Sequence, residues 1–216
     1  MRLHPPPLML ITDHQLAGDQ LLSRVSACLQ AARPGSVAVQ LRDRQLSARR
    51  RLDLGYALRA ECQRWAQYLV VNDRVDLALL LGADGVHLPG VGVSPAEARG
   101  LAPSLWLSAA CHPSLATSTP RCPEGVDAWL VSPVISPRKG RPALGVAGLA
   151  ALGAQLTAQP IGATAKAPPA VYALGGVDAA SAAGCLAHGA DGVALIGAAL
   201  DGRPIAPLLA ALGIAR

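Results

Sequence analysis

The sequence predicts an α/β fold, a single (β/α)8 TIM barrel taking in residues 1–216 as one domain. Three observations carry the prediction. Hydrophobic residues make up 51 % of the chain while aromatics make up 3 % and Phe is absent, so the core is expected to be aliphatic. Barrels and layered α/β folds lined with Val, Ile and Leu suit that composition. Eight short apolar segments recur along the chain: "LMLIT" (8–12), "SVAVQL" (36–41), "YLVV" (68–71), "GVHL" (85–88), "LWLSAA" (105–110), "AWLVS" (128–132), "AVYAL" (170–174) and "GVALI" (192–196). Each is apolar on both faces, as parallel strands covered by helices are. Finally, "LGADGVHL" (81–88) and "HGADGVAL" (188–195) nearly repeat each other.

The elements follow in order. After the first strand, "LLSRVSACLQAA" (21–32) places Leu21, Leu22, Val25, Cys28, Leu29 and Ala32 on one stripe of a helix. "DRVDLALLL" (73–81) has helical spacing and runs into Gly82; "DAASAAGCLAHG" (178–189) is an Ala-rich helix running into Gly189. Glycine is favoured just past a helix end because it tolerates positive φ. The repeated unit is therefore helix, tight turn, buried strand, with a looser copy in "EGVDAWLV" (124–131). The two strong copies precede the fourth and eighth strands, as a half-barrel repeat would. An open doubly wound sheet is the alternative, and the barrel is preferred because little more than one helix follows the last strand. Eight units in 216 residues is near the lower size for a barrel, about 200. "QPIGATAKAPPA" (159–170) reads as a surface extension away from the active site.

Composition also excludes classes. No apolar run reaches the roughly 18–20 residues of a membrane span, and "MRLHPPPLMLITD" lacks the shape of a signal peptide, so a cytoplasmic protein is expected. The five cysteines (Cys28, Cys62, Cys111, Cys122, Cys185) are scattered and are expected to be free thiols. The net charge of +5 comes without a basic run interleaved with aromatics. That argues for anionic small molecules rather than nucleic acid as partners.

In such barrels the active site lies at the C-terminal ends of the strands. Those ends read Thr12-Asp13, Gln40 with Arg42 and Arg44, Asn72-Asp73, His87, Cys111-His112, Ser132 to Lys139, Gly175-Gly176 and Ile196-Gly197. Nearly all are polar or Gly. The last two pairs leave backbone N–H groups open, a phosphate cradle in many barrels. Arg42 fits bidentate anion binding, against a surface ion pair with Asp43. Arg138 and Lys139 lie on a Gly/Pro-rich loop able to close over an anion, or are solvated charges. Asn72 and Asp73 fit a divalent cation or a substrate amine, or cap the following helix. His112 fits a proton shuttle near neutral pH. His87 fits the site or a satisfied core histidine equally well. Cys111 beside His112 would make a nucleophilic pair only if neighbours on a strand faced the same way, which they do not.

The blocks "VQLRDR", "VNDRVDLALLLGADGVHL", "YALGGV" and "GADGVALIGAAL" resemble those of the thiamine phosphate synthase and TenI superfamily, in the family's order, over roughly residues 8–200. The resemblance implies a TIM barrel, usually a homo-oligomer, acting on the thiazole phosphate half of thiamine. One branch joins hydroxymethylpyrimidine diphosphate to thiazole phosphate with Mg²⁺ and expels pyrophosphate. The TenI-like branch moves a proton on a thiazole carboxylate phosphate and needs no metal.

The departures from the synthase pattern are specific. Its second Mg²⁺ carboxylate, a few positions after "GVHL", corresponds to about Gly92, leaving Asp73 as the remaining metal ligand of a synthase. Its Thr-rich loop is "SPVISPRKG" here, its serine before His112 is replaced in Ala110-Cys111-His112, and Arg44 replaces a lysine. His112 matches the proton-transferring histidine of TenI-like proteins. The expectation is a TenI-like tautomerase without cofactor: His112 catalytic, and Gln40, Arg42, Asn72, Arg138, Lys139, Gly175, Gly176, Ile196 and Gly197 binding a phosphate substrate. The alternatives are a synthase using Mg²⁺ at Asp73, a catalytically silent ligand sensor, or an unrelated phosphate-binding barrel.

Overall fold

The computed structural model describes residues 5–112, 122–157 and 168–216. The strands are β1 (Leu8–Ile11), β2 (Val37–Leu41), β3 (Tyr68–Asn72), β4 (Gly85–Leu88), β5 (Trp106–Cys111), β6 (Ala128–Val131), β7 (Ala170–Leu174) and β8 (Gly192–Leu195). Each is parallel to the next, and β8 returns to β1 through Leu8↔Val193 and Leu10↔Leu195, closing the barrel. That closure excludes the open sheet.

The helices described are α1 (His14–Ala17), α2 (Leu21–Ala31), α3 (Ala48–Arg64), α4 (Val75–Leu80), α5 (Pro95–Leu101), α6 (Gly145–Thr157), α7 (Ala179–Ala187), α8 (Gly197–Leu200) and α9 (Ala206–Ala211). None is long and apolar enough to cross a membrane. The extension expected at 159–170 falls mostly outside the described residues.

Strand alternation divides the core in two. Outward residues such as Leu10, Val39, Val71, Leu107 and Val193 pack with Leu29, Leu58 and Leu209 of the helices. Inward residues form a separate cluster: Met9, Ile11, Ala38, Val70, Trp106, Leu130, Tyr172 and Ala194 among them. The inner cluster departs from the aliphatic expectation. Trp106 and Tyr172 meet edge to face, centroids 6.2 Å apart, and the buried Tyr172 hydroxyl donates to the Pro6 carbonyl at 2.6 Å. With so few large side chains, two aromatics fill much of the interior.

The repeat is explained by its three parts. Gly82 and Gly189 take φ of +56° and +90° just beyond α4 and α7, where glycine is least costly. The carboxylates of Asp84 and Asp191 accept from the Leu69 and Val171 N–H groups at 2.8 and 2.7 Å, clipping the start of the preceding strand. Asp127 of the looser copy does the same for Leu107 at 2.8 Å. Gly85 and Gly192 leave the space that Trp106 and Tyr172 occupy: a Cβ would lie 3.1 and 2.7 Å from their rings.

One expectation about thiols is corrected. Cys111 and Cys122 form a disulfide, with Cα atoms 5.2 Å apart, whereas Cys28, Cys62 and Cys185 are free and buried. Sequence spacing carried no sign of the pair, which lies 11 residues apart without a recognisable motif. Bonded on the outer face of β5, Cys111 offers no thiolate nucleophile.

Candidate functional site

The polar inward positions lie in one layer at the C-terminal mouth. Asn72, His87 and Ser108 are consecutive partners across β3, β4 and β5. All three are buried, as is Gln40 on β2, whose amide donates to the Met9 sulfur at 3.4 Å. The Ser108 hydroxyl lies 3.0 Å from His87 Nδ1. With its amide oxygen toward the guanidinium, Asn72 accepts from Arg44 Nε and Nη2 at 3.0 and 3.2 Å. Arg44 thus reaches back over the layer and is positioned by Asn72.

Asn72 and Asp73 do not cap α4, as sequence alone allowed. Arg74 stands at the N-cap without a capping side-chain hydrogen bond, and Asp73 takes a φ of +74°. The alternative for Arg42, an ion pair with Asp43, does not form either. Asp43 is 1 % exposed and turns inward to accept from the Thr12 hydroxyl and the His14 N–H. Thr12 also accepts from the Arg42 N–H at 3.0 Å, which fixes the backbone while leaving the guanidinium to the mouth.

His87 sits under a positive field. Burial and the Arg44, Arg42 and His112 charges push its imidazole down to about 3, so it is neutral at any working pH. His112 Nδ1 lies 3.1 Å from the Ser132 carbonyl and 3.2 Å from the Ser132 hydroxyl, so β6 orients the ring from β5. Its pKa is lowered, first by burial and then by Arg141 and Lys139, with the Ser132 bond opposing them.

The loop after β6 is a tight hairpin. Arg138 and Arg141 exchange two backbone hydrogen bonds of 3.0 Å, with Lys139 and Gly140 at φ of +51° and +72° between them. Two successive positive φ values are the pattern of a type I′ turn. The hairpin joins two parts of the mouth. Lys139 and Arg141 act on His112, while Arg138 lines a cavity of about 220 Å³ with Gly175, Gly176, Ile196, Gly197 and Arg203.

The glycine pair has a packing reason. Ile135 and Ser136 donate to the Gly175 carbonyl at 2.8 and 3.1 Å, and a Cβ on Gly176 (φ +77°) would fall 2.2 Å from Ser136 Oγ. All the site residues expected from sequence therefore lie at this end of the barrel. Arg141, Arg203 and Ser108 were not anticipated. Only strand alternation, placing Ser108 inward two residues before Ala110, offered a signal for any of them.

The donor set does not fit a two-carboxylate Mg²⁺ site. A Cβ on Gly92 would lie 3.1 Å from Asp73 Oδ1, so position 92 does face Asp73, but it carries no carboxylate and has a φ of +113°. No group of three or more His, Cys, Asp or Glu able to hold a metal occurs among the described residues.

Comparison with known proteins bears on this arrangement. Residues 8–199 match the family model described as thiamine monophosphate synthase. The chain belongs to that family. A putative thiamine-phosphate synthase of Geobacter sulfurreducens is 39 % identical over 95 % of this chain and 93 % of its own. A thiamine-phosphate synthase of Methanoculleus marisnigri is 36 % identical over 88 % and 86 %. Among solved structures, a thiamine phosphate pyrophosphorylase from Pyrococcus furiosus superposes with a TM-score of 0.76 at 25 % identity, covering 95 % of each chain.

Proposed function

We propose that the mouth binds a thiazole phosphate and that the chain is an enzyme of thiamine biosynthesis catalysing a TenI-like proton shift on a thiazole carboxylate phosphate. The observation that carries this reading is Gly92 against Asp73. Mg²⁺ bound by protein relies on carboxylates together with phosphate oxygens. A diphosphate leaving group needs that neutralisation, whereas a proton shift does not.

In this reading Gly175, Gly176, Ile196 and Gly197 hold the phosphate, with Arg138 beside them. Gln40 and Asn72 form the floor, and Arg42 and Lys139 face the carboxylate. The proton chemistry follows from one hydrogen bond. The Ser132 carbonyl can only accept, so in this reading His112 takes the tautomer that donates to it from Nδ1 and keeps a lone pair on Nε2, the Ser132 hydroxyl turning to another acceptor. Nε2 takes the proton from one carbon, the electron pair delocalises toward the carboxylate, and the imidazolium returns the proton at a second carbon. A lowered pKa keeps His112 in the basic form at neutral pH.

A second reading is thiamine phosphate synthase, joining hydroxymethylpyrimidine diphosphate to thiazole phosphate. The names of relatives at 36–39 % identity favour it over the proton shift. Purified protein is to be incubated with both of those substrates and Mg²⁺, and separately with the thiazole carboxylate phosphate tautomer. Isomerisation without thiamine phosphate is the expected result. Robust thiamine phosphate formation would establish the second reading. Thiazole phosphate binding with neither reaction would make the chain a ligand sensor.

A further inference from the structure

We infer that Ser108 fixes His87 as the Nε2–H tautomer, making His87 a neutral hydrogen-bond donor on the floor of the mouth that reads an acceptor atom of the thiazole substrate. The inference rests on the thiazole reading and adds to it a second histidine with the opposite role to His112.

Ser108 is 0 % exposed, and among the described residues its hydroxyl has His87 Nδ1 as its one hydrogen-bond partner. A buried hydroxyl left with its proton unpaired loses about 1–3 kcal/mol. Nδ1 is the acceptor within reach, so Ser108 donates and Nδ1 carries the lone pair. In a neutral imidazole the proton then resides on Nε2. Burial and the neighbouring Arg42 and Arg44 charges keep the ring neutral.

Among the described residues, the fully buried side-chain polar atoms without a partner are the Nε atoms of Arg51 and Arg59, so His87 Nε2, which makes no hydrogen bond there, keeps a narrow contact with solvent. His87 stands at an inward position near the C-terminal end of β4, on the mouth side of the barrel. Strand register puts Asn72 on one side of it and Ser108 on the other. In the proton-shift reading His112 has the opposite tautomer, with Nδ1 donating to the Ser132 carbonyl and the lone pair on Nε2. One histidine can thus remove a proton while the other donates to an atom that gains electron density. A neutral donor of this kind does not compete for the proton that His112 moves.

Histidine tautomers are read directly by long-range ¹⁵N–¹H NMR on histidine-labelled full-length protein. The expected spectrum has His87 protonated on Nε2 and untitrated through the range in which the protein stays folded. Adding thiazole phosphate should shift the His87 Nε2 resonance. Ser108→Ala should mix the tautomers and lower kcat about tenfold with little change in KM, and Ser108→Thr should restore both. His87→Ala should lower kcat by about 10²-fold, the scale of a lost charge-stabilising donor. His87→Gln, which keeps an N–H near the Nε2 position, should retain most of the rate.

A His87 proton on Nδ1, or an Nε2 resonance unmoved by thiazole phosphate that calorimetry shows to be bound, would overturn the inference. A single tautomer surviving in Ser108→Ala would overturn the role of Ser108. The tautomer and the ligand shift require no turnover. Failure of the proton-shift reading alone would therefore leave the expected spectra intact while isomerisation was absent.

Discussion

The two ends of the barrel use charge in opposite ways. At the base, Asp84, Asp127 and Asp191 each hold a backbone N–H of the preceding strand, and Arg59 and Arg99 close on Asp84 and Asp127 at 2.7 and 2.8 Å. Every one of these carboxylates is engaged, so the base is a set of clasps. At the mouth Arg42, Arg44, Arg138, Lys139 and Arg141 gather with Asp73, while Asp43 is turned away into Thr12 and His14. Uncompensated cations in a concave site favour an anionic ligand. The difference separates residues that hold the barrel from residues that serve chemistry, although both sets occupy strand ends.

That division can be broken by substitution, beginning at the mouth. His112→Ala is expected to lower kcat by about 10²–10⁴-fold, the usual contribution of a general acid–base group. The melting temperature should change little, since His112 is an exposed residue at the strand end and its ring contacts are with Ser132. Isomerisation kinetics with calorimetry would check both.

Gly176→Ala should mix the two effects. Its Cβ would fall 2.2 Å from Ser136 Oγ at a φ of +77°. Backbone strain of this sort costs about 1–3 kcal/mol. Thiazole phosphate affinity should fall together with stability, and titration calorimetry beside thermal unfolding would measure the pair.

Asp84→Ala should do the reverse of His112→Ala. It strands the Leu69 N–H and the Arg59 guanidinium, for a loss of about 1–3 kcal/mol. At 2–4 °C per kcal/mol for a domain this size, the melting temperature should drop by roughly 2–12 °C while kcat holds. A fall in kcat of the folded variant would mean that base and mouth are coupled.

The smallest effect is one of pH. His112 is active as the neutral base, so kcat/KM should be full above its pKa and fall as pH drops through it. Because that pKa lies below the ordinary 6.5, the acid limb should lie below 6.5 as well. Lys139→Ala and Arg141→Ala should each move the limb upward, since each removes a positive charge acting on the ring. A limb that stays in place in both variants would show that the hairpin does not act on His112.

Much of this was legible in the sequence because parallel strands covered by helices leave apolar runs that end at a common face. The eight segments correspond to the eight strands, and Gly82 and Gly189 stand where helices end. What could not be read depended on contacts between distant parts of the chain. Arg44 meets Asn72 only because β2 and β3 are neighbours, and Asp43 is lost to Arg42 only because Thr12 ends the adjoining β1. The Cys111–Cys122 bond joins two cysteines whose spacing of 11 residues has no local signature. Asp73 read as a helix cap because its residue type suits one, but its φ of +74° places it outside the capping geometry.

The central claim is that the mouth moves a proton through His112, with no need for a second carboxylate. The most direct test is turnover of the thiazole carboxylate phosphate tautomer in D₂O, followed by NMR for wild type and His112→Ala side by side. The account predicts an isomerised product formed by wild type and all but abolished in the variant, its receiving carbon carrying protium passed on by His112 and deuterium only as far as the imidazolium N–H exchanges with solvent before transfer. Equal isomerisation by both proteins, or no isomerisation by a wild type that makes thiamine phosphate from the two condensing substrates, would contradict it.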